Sequence, residues 1–123
     1  MPCHNDLLAA NFIAGEGGRI WLVDWEYAGM GDVYFDLANF AANNDLPEPE
    51  TLELLRAYFG ELSPEHERAL GLMRFMSDFR EAMWGVVQQA LSDLDFDFEA
   101  YAGRHFERLE RTAAQRAFRR ALG

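Results

Sequence analysis

The sequence predicts a mainly α-helical domain with one small β-hairpin near its amino terminus. Two short apolar runs, Asn11–Ala14 and Arg19–Trp25, flank the glycine-rich segment Gly15–Gly18, a pattern typical of two strands joined by a turn. After Asp32 the apolar residues recur at helical spacing. Half of the 123 residues are hydrophobic and 14% are aromatic, so a single domain of this length can bury a core.

Four helices are expected to follow the hairpin. The second should begin near Pro49 and end at Gly60, because proline is favoured in a first helical turn and glycine at a carboxyl-terminal cap. Ser63 is the expected cap of the third helix, a long one that Gly85 is expected to kink. The expected apolar faces are Val33, Leu37, Phe40 and Ala41 in the first helix, Leu52, Leu55 and Phe59 in the second, Leu70, Met73, Phe79, Met83, Val86, Val87 and Leu91 in the third, and Phe98, Ala102, Phe106, Leu109 and Ala113 in the fourth.

Charge and composition argue against several classes of protein. The formal net charge is −10, which disfavours unaided binding to nucleic acid or to an anionic membrane. No apolar run is long enough to span a bilayer, and no secretory signal is recognisable. The single cysteine, Cys3, cannot form an internal disulfide, so a reducing cytoplasm is the expected compartment. The six arginines from Arg104 to Arg120 are expected to form a solvated helix face with i,i+4 partners.

Polar residues around the hairpin predict a phosphoryl-transfer site. His4, Asp6 and Asn11 form the pattern H-x-D-x-x-x-x-N of a kinase catalytic loop, and Asp24 follows the second strand. Because a hairpin brings its strands together, Asn11 and Asp24 are expected to converge as hard oxygen ligands for Mg²⁺. Asp6 is then left to orient or deprotonate an attacking hydroxyl. The alternative is that these residues are only loop polar groups and caps.

The motifs resemble the choline/ethanolamine kinase family, which belongs to the aminoglycoside-phosphotransferase-like kinases with the protein-kinase-like fold. The resemblance runs from "CHNDLLAANFI" through "IWLVDWEYAGMGDVYFDLANF" to "WGVVQQALSDLDFDFEAYAGRHFERL". It implies that residues 1–123 are a single domain, the carboxyl-terminal lobe of such a kinase, with Mg²⁺ and ATP as cofactors. In this comparison Asp6 is the catalytic base and His4 supports its loop. Asn11 and Asp24 hold Mg²⁺, and Asp36 buttresses the loop from the following helix.

The resemblance also implies an acceptor pocket. Trp84 and Tyr101 match positions that line the choline pocket of the family, where aromatic faces hold a cationic head group. Each would otherwise be an ordinary core residue. Glu81 lies one turn before Trp84, where choline kinases usually carry a second tryptophan. A carboxylate there would attract any amine and would offer a hydrogen-bond acceptor that choline, which lacks an N–H, cannot use. The preference between choline, ethanolamine and another amino-alcohol stays open. Gly31 stands where asparagine is frequent in the family.

We expect this chain to lack the N-terminal lobe that binds the nucleotide. Kinases of this type hold the nucleotide phosphates with a strand lysine in an N-terminal lobe, and this chain contains no lysine. We therefore expect the N-terminal lobe to be absent, the isolated chain to be inactive, and the hairpin to expose an apolar patch that favours self-association or a partner lobe. An aminoglycoside- or sugar-phosphotransferase-like lobe and a non-catalytic helical interaction module stay open as alternatives.

Overall fold

The computed structural model describes all residues from Met1 to Gly123 and confirms a mainly helical fold with a small hairpin. Two antiparallel two-stranded sheets are present rather than one. The strands are β1 (Pro2–Cys3), β2 (Phe12–Ala14), β3 (Ile20–Leu22) and β4 (Gly29–Met30), and the helices are α1 (Val33–Asn43), α2 (Glu48–Phe59), α3 (Pro64–Leu91), α4 (Phe98–Ala114) and α5 (Arg116–Leu122).

The predicted hairpin is formed by β2 and β3. Ile13 pairs with Trp21 at its centre, and the turn contains two glycines, Gly17 and Gly18, in the left-handed region with φ of 69° and 77°. The Val23 amide donates to the Asn11 carbonyl over 3.0 Å. This bond continues the ladder past the ends of both strands, so the hairpin brings Asn11 beside the residue that precedes Asp24.

The second sheet pairs β1 with β4 and was not predicted. It ties the start of the chain to the segment before α1, where the Gly31 amide donates to the Met1 carbonyl over 2.8 Å. A Cβ atom at Gly31 would lie 3.3 Å from Asn5 Oδ1 and 3.4 Å from Cys3 Sγ. Because Gly31 has no Cβ, the backbone at this position can approach residues 3–5 closely.

Helix boundaries follow the signals in the sequence. Asp32 caps α1 by accepting a hydrogen bond from the Tyr34 amide, and Ser63 caps α3 by accepting one from the His66 amide. Gly60 ends α2 in the left-handed conformation, with φ of 80°. These caps fix where each helix begins or ends, and they confirm the predicted starts of α1 and α3 and the end of α2.

Helices α3 and α4 pack against each other more extensively than any other pair. Contacts run in opposite directions along the two helices, from Trp84 with Phe98 to Asp78 with His105, so the helices are antiparallel. Helix α3 continues without interruption through Gly85, where a kink was predicted. A Cβ atom at Gly85 would lie 3.0 Å from Ala102 Cβ, so this glycine instead permits close helix packing.

The core lies between α1, α2 and α3 and is formed by Leu37, Ala38, Leu55 and Leu70.

The predicted final helix is in fact two helices, because Gln115 has an extended backbone, with ψ of 136°, between α4 and α5. Several residues expected in the core on the α3 apolar face are exposed: Phe79, Met83, Val86, Val87 and Leu91. No helix in the structure combines the length and apolar character that crossing a membrane requires.

Candidate active site

His4 holds the predicted catalytic loop against the hairpin. Its Nε2 lies 2.9 Å from the Val23 carbonyl, and the Asp6 amide donates to its Nδ1 over 3.3 Å. A carbonyl only accepts and an amide N–H only donates, so these contacts assign a neutral imidazole with the proton on Nε2. The side chain is 2% exposed and packs edge-on against Trp25. His4 therefore links the loop to the strand end that carries Asp24.

Two side chains of helix α1 hold the loop that runs from His4 to Leu7. Asp36 accepts hydrogen bonds from the His4 and Asn5 amides, each over 2.7 Å, using one carboxylate oxygen for each. Asn39, one turn further along the helix, accepts from the Leu7 amide over 2.6 Å. Asn5 is in the left-handed region with φ of 65°, a conformation that non-glycine residues adopt only when their surroundings favour it. The two α1 side chains thus fix an unfavourable turn; the sequence indicated Asp36 but not Asn39.

Asp6 and Asn11 are in contact at the open end of the hairpin, and Asp24 follows Val23, whose amide donates to the Asn11 carbonyl. The Asn11 side-chain amide donates to the Asp6 carbonyl over 2.9 Å and lies 3.4 Å from the Asp6 carboxylate. Asp24 has a left-handed backbone, with φ of 61°, and its exposed carboxylate has no hydrogen bond or ion pair within the protein. It is close enough to act electrostatically on Asp6.

The Asp6 carboxyl group has a raised pKa. Burial is the largest cause, because it disfavours the charged form, and the negative charge of Glu81 adds to it. Arg80 and the hydrogen bond from Asn11 act in the opposite direction. The catalytic-loop carboxylate therefore lies in a partly desolvated position between acidic and basic neighbours.

Arg80 connects the loop to α3 and was missed in the sequence. Its guanidinium lies 3.5 Å from Asp6 Oδ1 and 2.8 Å from Glu81 Oε1, and it donates to the Asn5 carbonyl. The same group lies over the Phe35 ring at 5.0 Å from its centroid. Arg80 thereby contacts Asp6 directly. The sequence signal was its position next to Glu81, in the turn before Trp84.

Glu81 is buried rather than available to a ligand. Its side chain receives a 2.6 Å hydrogen bond from the Tyr101 hydroxyl and a 3.5 Å one from Asn39, in addition to the Arg80 ion pair. Only 5% of the residue is exposed. Glu81 therefore belongs to a buried polar network with Tyr101 and Asn39, and Arg80 balances its charge. The expectation that this carboxylate offers a free acceptor to an amine is not supported.

Trp84 and Tyr101 lie together, as the antiparallel arrangement of α3 and α4 requires. Their ring centroids are 5.5 Å apart in an edge-on arrangement. Phe98, expected on the apolar face of the last helix, and Phe96, which the sequence did not single out, complete this aromatic cluster. Burial and the hydrogen bond to Glu81 raise the pKa of the Tyr101 hydroxyl. Trp84 remains 39% exposed and can contact a ligand.

An open apolar groove of about 760 Å³ connects Trp84 with the catalytic loop. The loop contributes Asn5, and α3 contributes Arg80 and Met83. Side chains that seemed suited to the core, such as Phe79 and Val87, line this groove instead. A small molecule in the groove would contact Trp84 and Arg80, and Arg80 in turn contacts Asp6.

The residues predicted to hold a metal fit Mg²⁺ as a partial ligand set. No group of three histidine, cysteine, aspartate or glutamate side chains is arranged to bind a metal. Asn11 uses its nitrogen for Asp6, which leaves its oxygen available, and the Asp24 carboxylate has no partner in the protein. Two oxygen ligands suffice for Mg²⁺ when water and substrate phosphates complete its coordination.

Comparison with known proteins identifies the class of this chain. A family model described as the phosphotransferase enzyme family matches residues 1–72, which include the loop, both sheets and helices α1 and α2. The chain belongs to this phosphotransferase enzyme family. Within it, the relatives are choline and ethanolamine kinases, which confirms the resemblance seen in the sequence.

Ethanolamine kinase 2 of Mus musculus is 36% identical over 120 residues, an alignment that covers 81% of this chain and 31% of the relative. The crystal structure of a choline/ethanolamine kinase family protein from Mesorhizobium loti is 35% identical, with a TM-score of 0.89 over 98% of this chain and 41% of that protein. The structural match covers nearly the whole chain and therefore includes the helices that carry Trp84 and Tyr101.

Choline kinase LicA from Streptococcus pneumoniae is similar at 26% identity, with a TM-score of 0.77 over 92% of this chain and 39% of that one. A structure of LicA in complex with AMP is 27% identical, with a TM-score of 0.76 over 92% and 38% of the two chains. The chain spans less than half the length of the curated relatives it matches.

Proposed function

We propose that this chain is the catalytic and acceptor-binding lobe of an ATP-dependent kinase that phosphorylates the hydroxyl group of choline, ethanolamine or a related amino-alcohol. One observation carries the proposal. Asp6 contacts Asn11, one of the two proposed Mg²⁺ ligands, and it also contacts Arg80, which lines the groove that contains Trp84. Phosphoryl transfer needs a metal-binding side for the phosphates and a hydroxyl-binding side for the acceptor.

In this function Asp6 orients the acceptor hydroxyl and accepts its proton. A bond forms between the acceptor oxygen and the terminal phosphorus of ATP, and the bond from that phosphorus to the ADP oxygen breaks. Mg²⁺ held by Asn11 and Asp24 would neutralise the phosphate charges. Asp36, Asn39 and His4 keep the loop fixed, so little rearrangement is needed when the acceptor binds.

The aromatic cluster supports a cationic acceptor. A quaternary or primary ammonium next to Trp84 and Tyr101 gains roughly 0.5–2 kcal/mol from cation–π contact, depending on how far it is desolvated. Glu81 acts indirectly, since it orients Tyr101 and balances Arg80. The carboxylate nearest to a bound ammonium is then that of Asp6 or of an acidic side chain outside the aromatic cluster. This pocket accepts both choline, which lacks an N–H group, and ethanolamine.

A nucleotide-binding lobe completes the enzyme. The relatives are more than twice as long as this chain. The region that matches it makes up 31% of the mouse ethanolamine kinase and 39% of LicA. The hairpin exposes apolar side chains on the side where such a lobe is expected, with Ile20 71% and Trp21 57% exposed. Catalysis in the cytoplasm agrees with the single, buried, free Cys3. The isolated chain should bind an acceptor but should not turn over.

The test is a chimera that joins the amino-terminal lobe of the Mesorhizobium loti relative to residues 1–123 of this chain. Release of ADP is measured with choline, ethanolamine and an aminoglycoside. We expect turnover with an amino-alcohol that requires Mg²⁺. Asp6→Ala should lower kcat by roughly 10²–10⁴-fold. Asn11→Ala and Asp24→Asn should raise the Mg²⁺ concentration needed for half-maximal rate.

Asp93→Asn is the matched control, because it removes an exposed carboxylate between α3 and α4 and should leave the rate unchanged. Preference for the aminoglycoside over both amino-alcohols would contradict the acceptor assignment. Equal rates for Asp6→Ala and the parent chimera would contradict the catalytic assignment and favour a non-catalytic interaction module.

A further inference from the structure

A second cavity, of about 1010 Å³, lies on the face of α3 opposite the acceptor groove. Glu67, Gly71, Arg74 and Asp78 line the cavity at a spacing of three or four residues, which marks one helix face. The groove is lined at the same spacing by the opposite face, which includes Arg80. Helices α2, α4 and α5 form the other walls. The cavity is therefore separate from the candidate active site.

The cavity concentrates positive charge in an acidic protein. The whole chain has 11 basic and 21 acidic side chains, all of the basic ones being arginine. The cavity reverses this ratio, because six arginines and four carboxylates line it. The arginines are Arg68, Arg74, Arg108, Arg111, Arg116 and Arg120, and the carboxylates are Asp45, Glu48, Glu67 and Asp78.

Two of the carboxylates are already used by one arginine. Arg108 lies 2.8 Å from Asp78 and 3.2 Å from Asp45. Asp78 also accepts a 2.9 Å hydrogen bond from His105. The Arg108 Nη2 atom is buried, and none of its N–H bonds points at an acceptor with hydrogen-bond geometry, although the Asp78 oxygen is close. Arg108 is thus held in place by two carboxylates.

The other arginines have no carboxylate partner within 4.0 Å. Arg74 is half-buried, and its only hydrogen bonds are long ones to the Leu46 carbonyl, at 3.5 Å, and the Thr51 hydroxyl, at 3.4 Å. Burial and the nearby charge of Arg108 lower its pKa. Arg111, Arg116 and Arg120 form no side-chain hydrogen bond or ion pair. The expectation that this basic region pairs at i,i+4 along its helices is therefore wrong.

We propose that this arginine cavity binds a small polyanion that carries more than one phosphate group. Guanidinium groups bind phosphate oxygens through paired N–H bonds, and several that converge on one cavity favour multiply charged ligands. Arg74 lies on α3, Arg111 in the last turn of α4, and Arg116 and Arg120 at the start and in the last turn of α5. The volume is far larger than a single phosphate ion needs, which favours a ligand of several groups.

The test is titration of the full 123-residue chain with pyrophosphate at low ionic strength, followed by calorimetry and by NMR of the arginine Nε–H signals. We expect saturable binding with a Kd of about 1 mM or tighter, weakened by added salt. Arg111→Gln/Arg116→Gln should weaken binding at least about tenfold, since it removes two charged partners. Circular dichroism checks that each variant is folded.

Arg104→Gln/Arg119→Gln is the matched control. It removes the same charge from the same two helices, but neither residue lines the cavity. The control should retain parental affinity within about twofold, because the remaining effect is long-range and screened. No saturable binding by the parent chain up to about 10 mM, or equal weakening in both double variants, would overturn the proposal. Asp6→Ala should bind pyrophosphate like the parent, so this result does not depend on the proposed kinase activity.

Discussion

The Tyr101 hydroxyl donates a 2.6 Å hydrogen bond to Glu81, whose other carboxylate oxygen lies 2.8 Å from Arg80. Arg80 in turn contacts Asp6, so the aromatic cluster and the Asp6 carboxylate are joined by one line of polar contacts. A change at either end of this line should be measurable at the other.

Glu81→Gln should lower the pKa of Tyr101 toward its ordinary value. The carboxylate stabilises the neutral phenol by accepting its proton in a hydrogen bond and by repelling the phenolate. The pKa of the Tyr101 hydroxyl is raised in the folded state, so this hydroxyl contributes its full share of the unfolding free energy below the unfolded value of 10.0. That contribution is lost as the pH rises above 10.0. Ultraviolet absorbance titration measures the ionisation, with Tyr101→Phe used to identify the signal. An unchanged titration in Glu81→Gln would argue against the charged hydrogen bond.

Gly85→Ala should destabilise the protein by about 1–3 kcal/mol, because the added methyl group would press on the backbone and side chains of α4. The new Cβ would lie 3.0 Å from Ala102 Cβ and 3.2 Å from its backbone nitrogen. Gly71→Ala, on the same helix, meets no atom within 4 Å and should stabilise by about 0.5–1 kcal/mol. Urea unfolding measures both values. Two changes of the same sign would contradict the packing role of Gly85.

Asp36→Ala should cost about 2–4 kcal/mol of unfolding free energy, because two loop amides lose a charged acceptor. Asp32→Ala is the comparison, since it removes only the cap of α1 and should cost about 1 kcal/mol. Hydrogen exchange of the His4 and Asn5 amides should rise sharply in Asp36→Ala and little in Asp32→Ala. Equal protection of these amides in the two variants would show that Asp36 does not hold the loop.

The isolated chain should self-associate through the exposed hairpin. Ile20→Ser/Trp21→Ser should shift sedimentation velocity profiles toward the monomer, because it removes two exposed apolar side chains from β3. Leu91→Ser/Leu94→Ser removes exposed apolar side chains near the end of α3 and should have a smaller effect. If the second pair of substitutions produced the larger shift, the hairpin would not be the associating surface.

The sequence predicted those parts of the fold that have a repeating pattern or a capping signal. The hairpin and the boundaries marked by Asp32, Gly60 and Ser63 have such signals. Strands β1 and β4 have two residues each, too few for alternation to be visible. The break at Gln115 contains neither glycine nor proline, so the helical pattern appeared continuous.

For the candidate site, the sequence indicated residue types but not partners. Asp36 was identified through a motif, whereas Asn39 and Arg80 reach the loop from helices whose packing the sequence does not specify. Glu81 illustrates the limit. Its position relative to Trp84 suggested a pocket wall, yet Arg80 and Tyr101 enclose it, and only the tertiary structure determines such contacts.

The hydrogen bonds that hold the loop join residues far apart in the sequence, which has a consequence for folding kinetics. Asp36 is 31 and 32 residues from the amides it binds, and Arg80 is 75 residues from Asn5. Contacts of such separation form only after the intervening chain has been ordered, so the loop should be among the last segments to become protected during refolding. By the same reasoning, local opening of α1 should release the loop at a free energy below that of global unfolding. A lobe held together in this way could lose the geometry of its first loop while most of its helices are still intact.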